Sequence, residues 1–141
     1  MFAMLSNLML ASAPFNPLPD CELARPVTFS EDLRSLPPAV EEDFQRRAGH
    51  VNSRLEAYAA LGEVPRPGQN IDKLLLYVGQ ADDRWLISYE VGGRVVQYVT
   101  VSYRYDERDR SVVLLGALNG GLCTTANAFL QGVSVERGWE R

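Results

Sequence analysis

Few residues in this chain belong to types that do chemistry, and their spacing decides what they can do. There are two cysteines, Cys21 and Cys123, and one histidine, His50. Cys123 follows the turn Asn119-Gly120-Gly121 and precedes a short stretch suited to a helix, Ala126 to Gln131, with Thr124 or Thr125 as its cap. A thiol near a helix N-terminus is favoured as thiolate, and a histidine in reach would act as its base. A plainer reading competes with this dyad. Two cysteines in a small chain with export features suggest one disulfide, Cys21 to Cys123, which removes the nucleophile. His50 also falls off the apolar stripe of its helix and so points to solvent. The disulfide is the expectation.

Other chemistry is thinner. One histidine and two distant cysteines do not have zinc spacing. Asp106, Glu107 and Asp109 interleave with Arg108 and Arg110, and Asp82-Asp83 precede Arg84. Calcium wants more oxygens and fewer cations, so both acid groups read as solvated turns. No Lys follows Gly120-Gly121, so no phosphate loop is formed. Glu90 and the turn acids show no spacing that places two carboxylates in one cleft. The expectation is a non-catalytic chain without cofactor or metal.

The residues that remain are aromatic. They lie in a stretch of four β-rich runs, Ile71–Val78, Trp85–Val91, Arg94–Tyr105 and Ser111–Leu118. Val, Ile, Leu, Tyr and Trp dominate these runs, with short polar connections between them, which predicts an antiparallel meander. Gly92-Gly93 suggests a two-residue primed turn. That turn would place Val91 opposite Arg94, Tyr89 opposite Val96, Ile87 opposite Tyr98 and Trp85 opposite Thr100. One face would then carry Trp85, Ile87, Tyr89, Val91, Val96 and Tyr98. The other would carry Leu86, Ser88, Glu90, Val95, Gln97, Val99 and Val101. Both are substantially apolar, whereas a sheet with one wet face alternates cleanly.

Ahead of the meander lies one helix. Pro37-Pro38 start it, Glu41, Glu42 and Asp43 suit its first turns, and Gly62 ends it. Phe44, Ala48, Val51, Leu55 and Tyr58 form a single apolar stripe, enough to cover one sheet face. Residues 22–38 read as irregular, with a short helical turn at most near Ser30 to Leu33. The tail from Val133 to Trp139 alternates and suits either an edge strand or an arm. The fold class is therefore α+β: one long helix on a four-stranded antiparallel meander, plus a short C-terminal helix. Cystatin-like and NTF2-like folds share this element order. The cystatin hairpin signature Gln-x-Val-x-Gly is absent, because Gln97-Tyr98-Val99-Thr100-Val101 lacks the glycine.

At 141 residues the chain is long enough for one self-sufficient core. Residues 1–19 carry no charge, and Ala11-Ser12-Ala13 has the form of a signal-peptidase site, although no basic residue precedes the apolar run. Residues 1–19 thus read as a signal peptide or an apolar arm, and 20–141 as the domain. The run is too short to span a bilayer. Thirteen Arg stand against one Lys, a bias associated with GC-rich bacterial genomes. A net charge of −4 and the lack of any basic stripe argue against a nucleic-acid partner.

The expected function is a small binding protein, periplasmic or secreted, of an inhibitor, immunity or envelope-accessory type. Its partner would be another protein or a second copy of itself. Its binding residues would be Trp85, Tyr89 and Tyr98, with Tyr103 and Tyr105 further along the third run; the competing reading is that the Trp85–Tyr89–Tyr98 side is core under the helix. Tyrosine and tryptophan combine large apolar area with a polar tip and are enriched at interface centres. The alternative is a ligand pocket, binding or enzymatic, in the concavity between helix and sheet, with Ser88, Glu90 and Gln97 as its polar groups.

Overall fold

The computed structural model describes residues 14–53, 73–92 and 95–135. Its centre is a five-stranded antiparallel sheet in sequence order. The strands are β1 (Thr28–Ser30), β2 (Lys73–Ala81), β3 (Arg84–Val91), β4 (Gln97–Asp106) and β5 (Ser111–Asn119). Helix α1 (Pro38–Ala48) lies between β1 and β2, and α2 (Leu122–Leu130) follows β5. A 3-10 turn, Leu33–Ser35, is capped by Asp32, whose carboxylate accepts from the Arg34 backbone N–H. The α+β class and the antiparallel meander are as expected, with one strand more.

That strand, β1, is three residues long and too short to announce itself by pattern. It pairs Thr28 to Gln80, Phe29 to Gly79 and Ser30 to Val78. The close approach depends on Gly79, where a Cβ would lie 2.9 Å from Val27 Cγ1. Phe29 then packs edge-on against Tyr77, with centroids 5.2 Å apart.

Helix α1 ends earlier than its stripe suggests. Gly49 takes φ 75°, a left-handed value that suits glycine, and its N–H bonds Gln45 O at 2.9 Å. Val40, Phe44 and Ala48 are buried. Val51 is buried too, but beyond the helix, where Asn52 forms a parallel bridge to Leu74. An extended segment thus satisfies a spacing that also fits a helix. Leu55, Tyr58 and Gly62 lie outside the described residues.

The largest correction is register. Trp85 pairs with Tyr103, Ile87 with Val101, Tyr89 with Val99 and Val91 with Gln97. Trp85 was expected opposite Thr100, so the partner lies three residues further on. The connection runs from Gly92 to Val96 rather than through two glycines alone. An odd shift moves every side chain of β4 to the other face. Val99, Val101 and Tyr103 therefore join Trp85, Ile87 and Tyr89 under α1, and Tyr98 turns away. Burying two valines and a tyrosine outweighs the tighter turn, since each fully buried side chain contributes roughly 1.5–3 kcal/mol.

The second face is covered from within the chain. Leu76, Tyr77, Ala81 and Leu86 of the sheet pack against Leu18 of the N-terminal segment and Ala126, Phe129 and Leu130 of α2. The register skips Leu76 between Leu75 and Tyr77, a bulge that puts both Leu76 and Tyr77 into this second core. Helix α2 starts at Leu122, one turn earlier than predicted. Arg84 Nη1 donates to Phe129 O at 2.7 Å, a cation at the helix C-terminus. Of the tail, Val135 N–H bonds Leu115 O at 2.7 Å, beside Gly116.

Two links join the covering pieces. Cys21 and Cys123 form the expected disulfide, with Cα atoms 5.6 Å apart. Asn127 reaches from α2 to the N-terminal segment, accepting from Ala24 N–H at 2.7 Å and donating to Glu22 O at 3.0 Å. The bond closes a loop with a sequence separation of 102. Loop-closure entropy for that length corresponds to about 4–5 kcal/mol. Reduction is expected to lower the melting temperature by roughly 10 °C or more. Equal melting curves with and without reductant would show that the staple contributes nothing.

Candidate functional site

Three of the five aromatics expected at a surface are core. Tyr89 and Tyr103 are 3% and 0% exposed, and Trp85 keeps only 9%. Tyr89 packs edge-on against Phe44 of α1, centroids 5.8 Å apart. Tyr98 lies on the opposite face, paired with Glu90 and 39% exposed. The continuous aromatic face of Trp85, Tyr89 and Tyr98 is therefore not formed. The concavity suggested for a ligand is filled by Val40, Phe44 and Ala48 packing on the sheet. Its proposed polar groups do not converge. Ser88 is buried on the α2 side, Glu90 is half-buried, and Gln97 is exposed on the α1 side.

Two polar features join the layers. Under α2, Ser88 and Thr100 hydroxyls lie 3.2 Å apart and Thr100 lies 2.9 Å from Thr125, which donates to Gly121 O. The Ser102 hydroxyl beside them is enclosed without a hydrogen-bond partner. Burial pushes the Tyr77 phenol up to about 12, against the pull of the Thr100 and Ser88 hydroxyls. Ser102→Ala is expected to leave stability unchanged or to raise it by up to about 1 kcal/mol, because it removes a buried, unbonded hydroxyl. A loss of 2 kcal/mol or more by urea unfolding, on the scale of a broken buried hydrogen bond, would show that this group is satisfied.

Under α1, Tyr103 OH donates to Asp43 Oδ2 at 2.7 Å, and Arg47 Nε donates to the same oxygen at 2.8 Å. Arg46 also pairs with Asp43. Burial alone would raise the Asp43 carboxyl, but the Tyr103 hydroxyl and the two guanidiniums outweigh it and hold it below the usual range. Burial, and then the Asp43 carboxylate, push the Tyr103 phenol far above its ordinary value. A depressed carboxylate contributes stability that is present above its unfolded pKa and lost as pH falls through the folded one. Asp43→Asn is expected to cost roughly 1–3 kcal/mol at pH 7. The cost should shrink on acidification below the usual carboxylate range. An equal cost at pH 7 and pH 3 in urea unfolding would refute the linkage.

Trp85, at its exposed margin, and Tyr105 meet at a cavity. At the end of the sheet where α1 begins, an open cleft of about 450 Å³ lies between the β2–β3 and β4–β5 turns. Trp85, Tyr105 and Pro37 form its apolar part. Tyr105 is half-buried, and its N–H bonds Asp83 O at 2.9 Å, which ties the two turns together. Asp82 and Asp83 line it from one turn, and Asp106 and Glu107 from the other. Arg108 is the cation of the lining, while Arg25 of the N-terminal segment pairs with Asp82. Asp106 Oδ1 accepts from the Arg108 backbone N–H at 2.9 Å.

The turn acids are solvated as expected, but the expectation that no two of them share a cleft is corrected. Antiparallel pairing puts alternate turns at the same end of a meander, so turns far apart in sequence converge. That topological rule was the available signal. The thiol dyad is also removed, because Cys123 is bonded to Cys21. Among the described residues, no group of three or more His, Cys, Asp or Glu side chains is placed to hold a metal ion. None of the described helices is long and apolar enough to cross a membrane. Comparison with protein-family models, characterised proteins and solved structures finds no match for this chain.

Proposed function

We propose that this chain is a non-catalytic binding protein of the periplasm or the extracellular space. In this reading it is of inhibitor, immunity or envelope-accessory type and acts by occupying a surface of another protein. The observation that carries the reading is the cleft, where aromatic rings and four carboxylates stand together at the rim of the sheet. A rim in which acids outnumber cations four to one steers encounter with an oppositely charged partner, and aromatic rings supply buried contact area. The disulfide supports the compartment, because such bonds persist where the environment is oxidising. In this reading the working surface lies at the end of the sheet rather than across its face.

The test is site-specific crosslinking in cells of the source organism. A photoreactive residue in place of Glu107 is expected to capture one polypeptide reproducibly. The same residue in place of Gln45, on the exposed side of α1, should not. Asp83→Arg should abolish capture without lowering the melting temperature. Capture that is equal from both positions, or indifferent to charge reversal, sinks the reading, as does no capture at all.

A further inference from the structure

The sheet has two edges, and they are built differently. Strand β1 is three residues long, which leaves little backbone to template another strand. Strand β5 runs for nine residues, Ser111 to Asn119, with no charge and no proline. A long apolar edge without either is the kind that pairs with a further chain. The Tyr105 N–H turns toward Asp83, on the β3 side. Alternation then turns Arg104 and Val113 to each other and sends the N–H and C=O groups of Val112 and Leu114 outward. Among the described residues, the backbone bond that reaches β5 from outside the sheet is that of Val135 alone.

That contact is close. Val135 N–H donates to Leu115 O at 2.7 Å, and a Cβ on Gly116 would lie 2.6 Å from Val135 Cβ. Glycine at 116 is what lets the tail lie so tightly on the edge. The β4–β5 register passes over Leu115, so the bond is made to the extra residue of a bulge. Val135 therefore divides the edge and leaves Ser111 to Leu114 as an open run.

This run suits its own copy. A two-fold contact brings each residue near itself, so a charge at the axis would meet a like charge. Ser111 to Leu114 carries none. With the axis at Val113, Val112 of one copy faces Leu114 of the other, and their outward groups bond in pairs. Val112 and Leu114 are half-buried beside the α1 core. Both lie on the same face, so the pairing joins two α1 cores across one continuous sheet. Val113, 39% exposed on the other face, meets itself. In this register Ser111 of the second copy falls opposite Leu115, where Val135 already lies.

We propose that β5 is a self-association edge, held closed by Val135 and taken by β5 of a second copy when the tail leaves it. The inference is independent of the cleft.

Val135→Pro tests it in the full chain, because proline has no N–H to give Leu115. Sedimentation equilibrium is expected to show a dimer at least about tenfold tighter than that of the wild-type chain, the scale of one lost backbone hydrogen bond. Deuterium exchange at Val112 and Leu114 should slow as the concentration of the variant rises. Adding Val113→Lys should return it to monomer, while adding Val96→Lys, exposed in the β3–β4 connection, should not. A chain ending at Gly132 should dimerise as Val135→Pro does, and it decides the matter if the proline lowers melting. No gain in dimer from either change overturns the proposal. A dimer indifferent to Val113→Lys also overturns it, because the contact then lies elsewhere. So does a wild-type chain that pairs as tightly as the variants, since Val135 then holds nothing closed.

Discussion

A sheet that is apolar on both faces needs two covers, and the rest of the structure follows from how this chain supplies them. Trp85, Ile87 and Tyr89 point one way while Tyr77 and Leu86 point the other. Leaving either side open would expose a contiguous apolar patch of a size that monomers rarely tolerate. Helix α1 supplies one cover in a single piece. The other is composite: an irregular N-terminal segment and a nine-residue helix from the far end of the chain. A helix that short is not stable alone, since isolated helices under about 12–15 residues are marginal. The Cys21–Cys123 bond and the Asn127 clamp turn two inadequate pieces into one layer. The staple therefore sits where the hydrophobic cover is least continuous.

The two interfaces also differ in their polar content. Beneath α1 the polar link is at the margin, where Tyr103 reaches Asp43 and the arginines beside it. Beneath α2 a chain of hydroxyls from Ser88 through Thr100 to Thr125 runs through the buried layer. This chain exists only in the observed register. Moving β4 by an odd number of residues would carry Thr100 and Ser102 to the α1 side and set valines against Ser88. Hydroxyls that find partners in one register, and valines that pack in the same one, act together to reject the alternative.

These features explain what could be read in advance. Strand composition, the meander and the cysteine pair were legible because each rests on residue type and order. Register was not, because Gly92-Gly93 is as compatible with a longer connection as with a tight turn, and parity then decides every face. The end of α1 was misread because Val51 keeps a helical spacing after Gly49 has already broken the helix. Strand β1 escaped because three residues carry no period, and its evidence lies in Gly79 on another strand. The cleft was hidden for a different reason. Asp83 and Glu107 are brought together by topology, and along the chain each is only a charged residue in a turn.

With both faces committed to the core, an aromatic residue here can serve recognition only where the covers stop. Two of the expected binding residues are enclosed on that ground, since exposing Tyr89 or Tyr103 would mean lifting α1. Trp85 and Tyr105 escape because they lie beside the start of that helix. Helix α1 begins at Pro38, with Pro37 itself at the edge of the cleft. Another turn of helix at that end would extend over the space above Tyr105. Pro38 has no N–H to give, and its ring disfavours the helical conformation in the residue before it. The chain must therefore turn away at this point. The two prolines that start the helix thus also fix where it cannot go, and the opening they leave is the cleft.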